Sequence, residues 1–131
     1  METKQVKISI THKMQNNNAY YALAGKSEGA TQREKLQLTD LEELFDEIII
    51  DIPEKVISIN SSFFMGMFKS YIDTIPYGEL KNIENAFRKK YIFITHTPNQ
   101  KKIIDLNIED GVRDCIIFRQ NVEKSNIQKK I

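Results

Sequence analysis

From Gln5 to Thr11 apolar and polar residues alternate, with Val6, Ile8 and Ile10 on one side and Lys7, Ser9 and Thr11 on the other. A period of two predicts a half-buried strand. The polar break Asn16, Asn17, Asn18 supplies turn chemistry, and Ala19 to Leu23 then reads as a second strand that stops before Gly25. The two strands are expected to pair as a hairpin. Lys26 to Gln37 is polar and poorly periodic, which leaves a loop and a short helix both open. Thr39 with Glu42 forms a capping box, and Leu41, Leu44, Phe45 and Ile48 follow it at helical spacing.

The β-branched run Ile48, Ile49, Ile50 ends at Asp51 and predicts a strand in the middle of a sheet. Pro53 terminates it, and Val56 to Ile59 resumes as strand after a polar corner at Glu54 and Lys55. Phe64, Met67, Phe68, Tyr71, Ile72 and Ile75 recur at intervals of three and four, so an amphipathic helix starts at Ser61 and runs to the break at Pro76 and Gly78. Leu80, Ile83, Ala86 and Phe87 repeat the pattern and lead into a central-type strand, Tyr91 to Ile94. Thr97 caps the next helix, with Pro98 at its first position and Gln100 completing a second capping box. Ile103, Ile104 and Leu106 are expected to face the core. Gly111 is expected to close this helix, Val112 to Phe118 to form the last strand, and Asn121 to Ile131 to be a polar tail, helical or frayed.

This order predicts one α/β domain over residues 1–131, with its core between about residues 5 and 124. Its sheet should be mixed and mostly parallel, of four to five strands, joined by right-handed crossovers and packed against helices.

Composition narrows the function classes. The 19 basic and 18 acidic residues nearly cancel and are interspersed, so the chain lacks the electrostatic footprint of a nucleic-acid binder, and a protein partner is expected. The basic run Arg88, Lys89, Lys90 ends a predicted helix, where cations complement the dipole. The single cysteine, Cys115, lies in an apolar run and reads as a small core residue. It fits a reducing cytoplasm. No stretch approaches about 18 consecutive apolar residues, and no apolar segment precedes a cleavage site near the start, so a soluble, unexported chain without membrane insertion is expected.

Catalytic constellations are not evident. His12 and His96 have no metal-ligand spacing to each other or to Cys115, the five glycines form no phosphate-binding loop, and the adjacent acids Asp46 with Glu47 and Glu109 with Asp110 point apart. No cofactor is called for, and the expectation is a non-enzymatic protein. One junction stands out. A buried strand delivers Asn60, Ser61 and Ser62 to a helix start, where free N–H groups and the helix dipole favour hydroxyls and anions. Asn and Ser are also ordinary N-cap residues. The functional reading is serine phosphorylation, which adds a charge of about −1.5 to −2 and changes what the surface binds.

These residues resemble the STAS family, which includes bacterial anti-sigma factor antagonists. The likeness rests on Asp51, a corner, then Ile57, Ser58, Ile59, Asn60, Ser61, Ser62. A second piece runs from Ile92 to Thr95 through Pro98, Lys101, Ile104, Leu106 and Gly111 to Phe118, and a third is the strand end Leu23, Ala24, Gly25. The family's pattern has Asp where this chain has Asn60, and Gly where it has Phe63. The resemblance implies a regulatory protein-binding module that engages an anti-sigma factor or a serine kinase and is switched at Ser61 or Ser62. Asn60, Phe63, Met65, Gly66, Lys69, Ser70 and Asp73 are the implied contact residues. The alternative is an unphosphorylated STAS adaptor of a transporter ATPase or larger scaffold, which accommodates Asn60 and Phe63. Self-association is left open.

Overall fold

The computed structural model describes residues 3–10 and 19–129, with side chains to residue 126. It is an α/β domain with elements in the order β1 (Gln5–Ser9), β2 (Tyr21–Leu23), α1 (Lys26–Lys35), α2 (Leu38–Leu44), β3 (Glu47–Asp51), β4 (Val56–Ile59), α3 (Ser61–Ile72), α4 (Leu80–Lys90), β5 (Tyr91–Ile94) and α5 (Pro98–Lys129). His12 and the Asn16–Asn18 break lie outside the described residues.

Every described ladder is parallel. β1 pairs with β3 and β3 with β5, while β2 pairs with β4 in a second, two-stranded sheet. The expected β1–β2 hairpin is therefore replaced by two separate pairings, each with a strand from the Ile48–Ile59 region. The reason is burial: the isoleucine-rich β3 and β4 offer an apolar surface that two weakly amphipathic strands do not offer each other. In the order β1-β3-β5 both crossovers step the same way, so right-handed connections put their helices on one face of that sheet. Val6, Ile8, Ile48, Ile50, Tyr91 and Phe93 belong to that face, where they form or pack against the core.

The core centres on an aromatic cluster. Phe68 lies 4.9 Å from Phe64, 5.2 Å from Phe87 and 4.9 Å from Tyr91, mostly in edge-on arrangements that favour ring quadrupoles. These rings come from α3, α4 and β5, so the periodic apolar faces read from the sequence meet here.

α1 resolves the ambiguous Lys26–Gln37 segment as a helix. It buries only Gly29 and Gln32, without a single apolar side chain, and docks by close backbone approach. A β-carbon on Gly29 would lie 2.1 Å from the Phe63 carbonyl oxygen, and one on Gly66 would lie 2.1 Å from that of Lys26. Polar contacts reinforce the crossing. Arg33 forks onto Glu42 of α2, at 2.6 and 3.0 Å, and donates at 2.9 Å to the Met67 carbonyl of α3. Tyr91 hydroxyl donates to the same carboxylate.

Glu42 therefore has a different role from the capping box. α2 starts two residues earlier than a Thr39 cap would place it, behind Gln37 in the left-handed conformation at φ 55°, because Leu38 is fully buried there. Leu44 points outward. Lys90, in the basic run that ends α4, donates at 2.6 Å to the Glu42 and Phe45 carbonyls and so ties down the end of α2.

The largest departure lies at the end. Val112 to Phe118 is helix, part of a continuous α5, and Gly111 does not close it. Gly111 is buried mid-helix, where a β-carbon would meet the Phe64 ring at 2.4 Å. Ile104, Ile108, Val112 and Cys115 recur at four, four and three and are all fully buried, while Ile103 and Leu106 are exposed. The second capping box is present in part: Gln100 N–H donates to Thr97 Oγ1 at 3.0 Å, but the Gln100 side chain accepts from His96 N–H.

Candidate functional site

The parallel pairing of β2 with β4 aligns Leu23 with Ile59, and Asn60 N–H donates to the Leu23 carbonyl at 2.8 Å. Each strand feeds a helix immediately afterwards, α1 from Gly25 and α3 from Asn60. Two helix N-termini therefore start side by side at the carboxyl ends of adjacent parallel strands. Gly25 has φ 95°, a conformation only glycine adopts without strain. Glu28 folds back over it, since a β-carbon there would lie 1.9 Å from Glu28 Oε2, and this carboxylate complements the positive end of α1.

The junction serines differ. Ser62 is exposed and its Oγ accepts a 3.3 Å hydrogen bond from Gly25 N–H, which joins the two helix starts. Ser61 is half-buried. Asn60 occupies the N-cap position with an extended backbone, φ −70° and ψ 150°, but its side chain makes no capping bond and is open to solvent.

The expected contact surface on α3 is divided. Phe63 is in the core and Gly66 faces α1, so neither forms an accessible apolar patch; α1, which sequence periodicity did not resolve, covers them. Met65 is half-buried against the core. Ser70 is exposed. Lys69 pairs with Asp73 at 2.5 Å and lies 4.8 Å over the Phe118 ring, with Lys26 5.0 Å from the same ring. Exposed Asn60, Ser62 and Ser70 with the Lys69–Asp73 pair are thus the accessible remainder of the expected site.

α5 supplies residues that motif reading missed. Ile59 N–H points away from β2 and donates to Asn107 Oδ1 at 2.7 Å. Gln100, itself buried, donates to the Pro53 and Val56 carbonyls at 2.8 and 2.9 Å. Side chains of α5 thus satisfy backbone groups around β4 that a neighbouring strand would otherwise take. Polar residues on the buried side of a helix, Gln100 four positions before the buried Ile104 and Asn107 three after it, were the available signal.

At the other strand ends, His96 Nε2 lies 2.6 Å from Asp51 Oδ1. Burial raises the Cys115 thiol to about 12, aided by Asp73, so the thiolate is scarce at neutral pH. Among the described residues no cluster of three or more His, Cys, Asp or Glu side chains could hold a metal ion, and no helix is long and apolar enough to cross a membrane. Comparisons with protein-family models, with curated proteins and with solved structures returned no match.

Proposed function

We propose that this chain is a non-enzymatic protein-binding module of the STAS kind whose recognition site is the paired start of α1 and α3, switched by phosphorylation of Ser62. The observation that carries the reading is the exposed Ser62 hydroxyl between two helix N-termini, where the dipoles favour added negative charge. Ser61, half-buried, is the poorer acceptor. Asn60, Ser70, Lys69 and Asp73 form the polar rim, and the partner is an anti-sigma factor or a serine kinase in a reducing cytoplasm.

The second reading, an unphosphorylated adaptor of a transporter ATPase or scaffold, is favoured by the Gly25–Ser62 hydrogen bond, which gives the hydroxyl a structural task. Phosphopeptide mapping of the protein isolated from its host, together with partner pull-down by Ser62→Ala and Ser62→Glu, separates the two. Phosphate on Ser62 and a partner lost with Ser62→Glu support the switch. An unmodified Ser62 and a partner indifferent to both substitutions support the adaptor.

A further inference from the structure

Lys26 is a cation in an unfavourable place. It opens α1, where the helix dipole is positive, and the residues one turn on, Gly29 and Ala30, offer it no carboxylate. Glu28, the acid of that first turn, folds over Gly25 instead. Among the described residues Lys26 forms no ion pair. Its ammonium lies 5.0 Å over the Phe118 ring of α5, beside that of Lys69 at 4.8 Å. Lys69 differs, because Asp73 holds it at 2.5 Å.

Lys26 also stands between that ring and Ser62. On α3, Ser62, Gly66 and Lys69 follow at intervals of four and three and share one face. The Lys26 carbonyl oxygen lies against Gly66, one turn along that face from Ser62, where a β-carbon would meet it at 2.1 Å. Gly25, whose α-carbon precedes that of Lys26 by about 3.8 Å, donates its N–H to Ser62 Oγ. The flexible stem of Lys26 therefore reaches Phe118 in one direction and a group attached to Ser62 Oγ in the other.

We propose, resting on Ser62 as the phosphate acceptor, that Lys26 reads the state of that residue. Without phosphate it covers Phe118; with phosphate it pairs with the new anion and uncovers the ring, which carries the mark from the junction to the surface of α5. A ring face holds an exposed ammonium weakly, whereas a phosphate brings a charge of about −1.5 to −2 and three acceptor oxygens. The Glu28 carboxylate over Gly25 is the like charge near that phosphate, so a cation is required there. Lys69 stays with Asp73, and Lys26 is the lysine over Phe118 that is free to answer.

The test encodes phosphoserine at position 62 of the full chain, so no kinase is needed, and labels the phenylalanines with fluorine; Phe118→Leu assigns the Phe118 signal by its loss. Phosphorus NMR then follows the second ionisation of the phosphate, ordinarily near about pH 6. Its pKa should lie about half a unit lower in the parent chain than in Lys26→Gln, about a threefold difference in proton affinity, and Lys26→Arg should match the parent. The Phe118 fluorine signal should move on phosphorylation of the parent and stay in place in Lys26→Gln. Far-UV circular dichroism checks folding, and Lys26→Met replaces Lys26→Gln should the latter fail to fold. A phosphate pKa indifferent to residue 26, a Phe118 signal blind to the phosphate or moved equally without the lysine, or a phosphoserine chain that does not fold overturns the proposal. Phosphopeptide mapping from the host is a separate result: an unmodified Ser62 there overturns the switch, whereas the NMR readings overturn the role of Lys26.

Discussion

Gly29 on α1 and Gly66 on α3 occupy reciprocal positions at one helix crossing, each presenting its bare α-carbon to a backbone carbonyl of the other helix. A β-carbon on either would reach 2.1 Å from that oxygen, so the helices would have to separate. α1 has no buried apolar side chain to hold it after such a separation. Gly66→Ala should therefore destabilise the fold by about 1–3 kcal/mol, the usual cost of overpacking, although alanine is the better helix former. Urea unfolding measures this directly, and an unchanged or raised midpoint would show that the crossing tolerates the methyl group.

The Arg33–Glu42 pair joins α1 to α2 and is nearly shielded from water, with side chains 13% and 11% exposed. Removing one partner leaves the other charge uncompensated. Glu42→Leu should cost about 3–5 kcal/mol, whereas the double change Arg33→Met with Glu42→Leu should recover part of that loss. A double-mutant cycle in denaturant measures the coupling, and additive losses would show that the pair does not act as a unit.

Asn107 is a sharper test of the β4 edge. Asn107→Leu strands the Ile59 N–H and should cost about 1–3 kcal/mol. Asn107→Asp retains an acceptor at the same place and should recover most of that loss. Equal destabilisation by the two substitutions would mean that the side chain matters for packing and not for its oxygen.

Alkaline pH should weaken the fold in a defined window. Burial, and then the Glu42 carboxylate, raises the Tyr91 hydroxyl far above its ordinary value, and burial raises Cys115 to about 12. Unfolded, these groups ionise near about 10 and 8.5. Above those values the unfolded chain has lost protons that the folded chain keeps, so stability falls as pH rises. It is fully present below about pH 8.5 and declines toward about pH 12. Unfolding free energies at pH 8, 9.5 and 11 should show a shallower decline for Cys115→Ala and for Tyr91→Phe than for the parent chain. Parallel slopes would refute these assignments. Cys115 should also react with thiol reagents only as the chain unfolds, which mass spectrometry follows.

The sequence by itself determined the α/β class, the helix starting at Ser61, and strands at Ile48–Asp51, Val56–Ile59 and Tyr91–Ile94, because continuous or periodic apolar runs leave few alternatives. It also located the junction of Asn60 with Ser61 and Ser62. Only the tertiary structure decided strand pairing, since β1 and β2 carry no residue that prefers each other to β3 and β4. The Val112–Phe118 run is helix because its buried positions continue the spacing of Ile104 and Ile108 across Gly111, and a glycine read as a stop is the space into which Phe64 packs. α1 was least legible, because it docks through two glycines and an arginine, and hydrophobic periodicity has nothing to report where no apolar side chain is buried. That same docking withdrew Phe63 and Gly66 from the surface and left Ser62, held by Gly25, as the exposed hydroxyl at the junction.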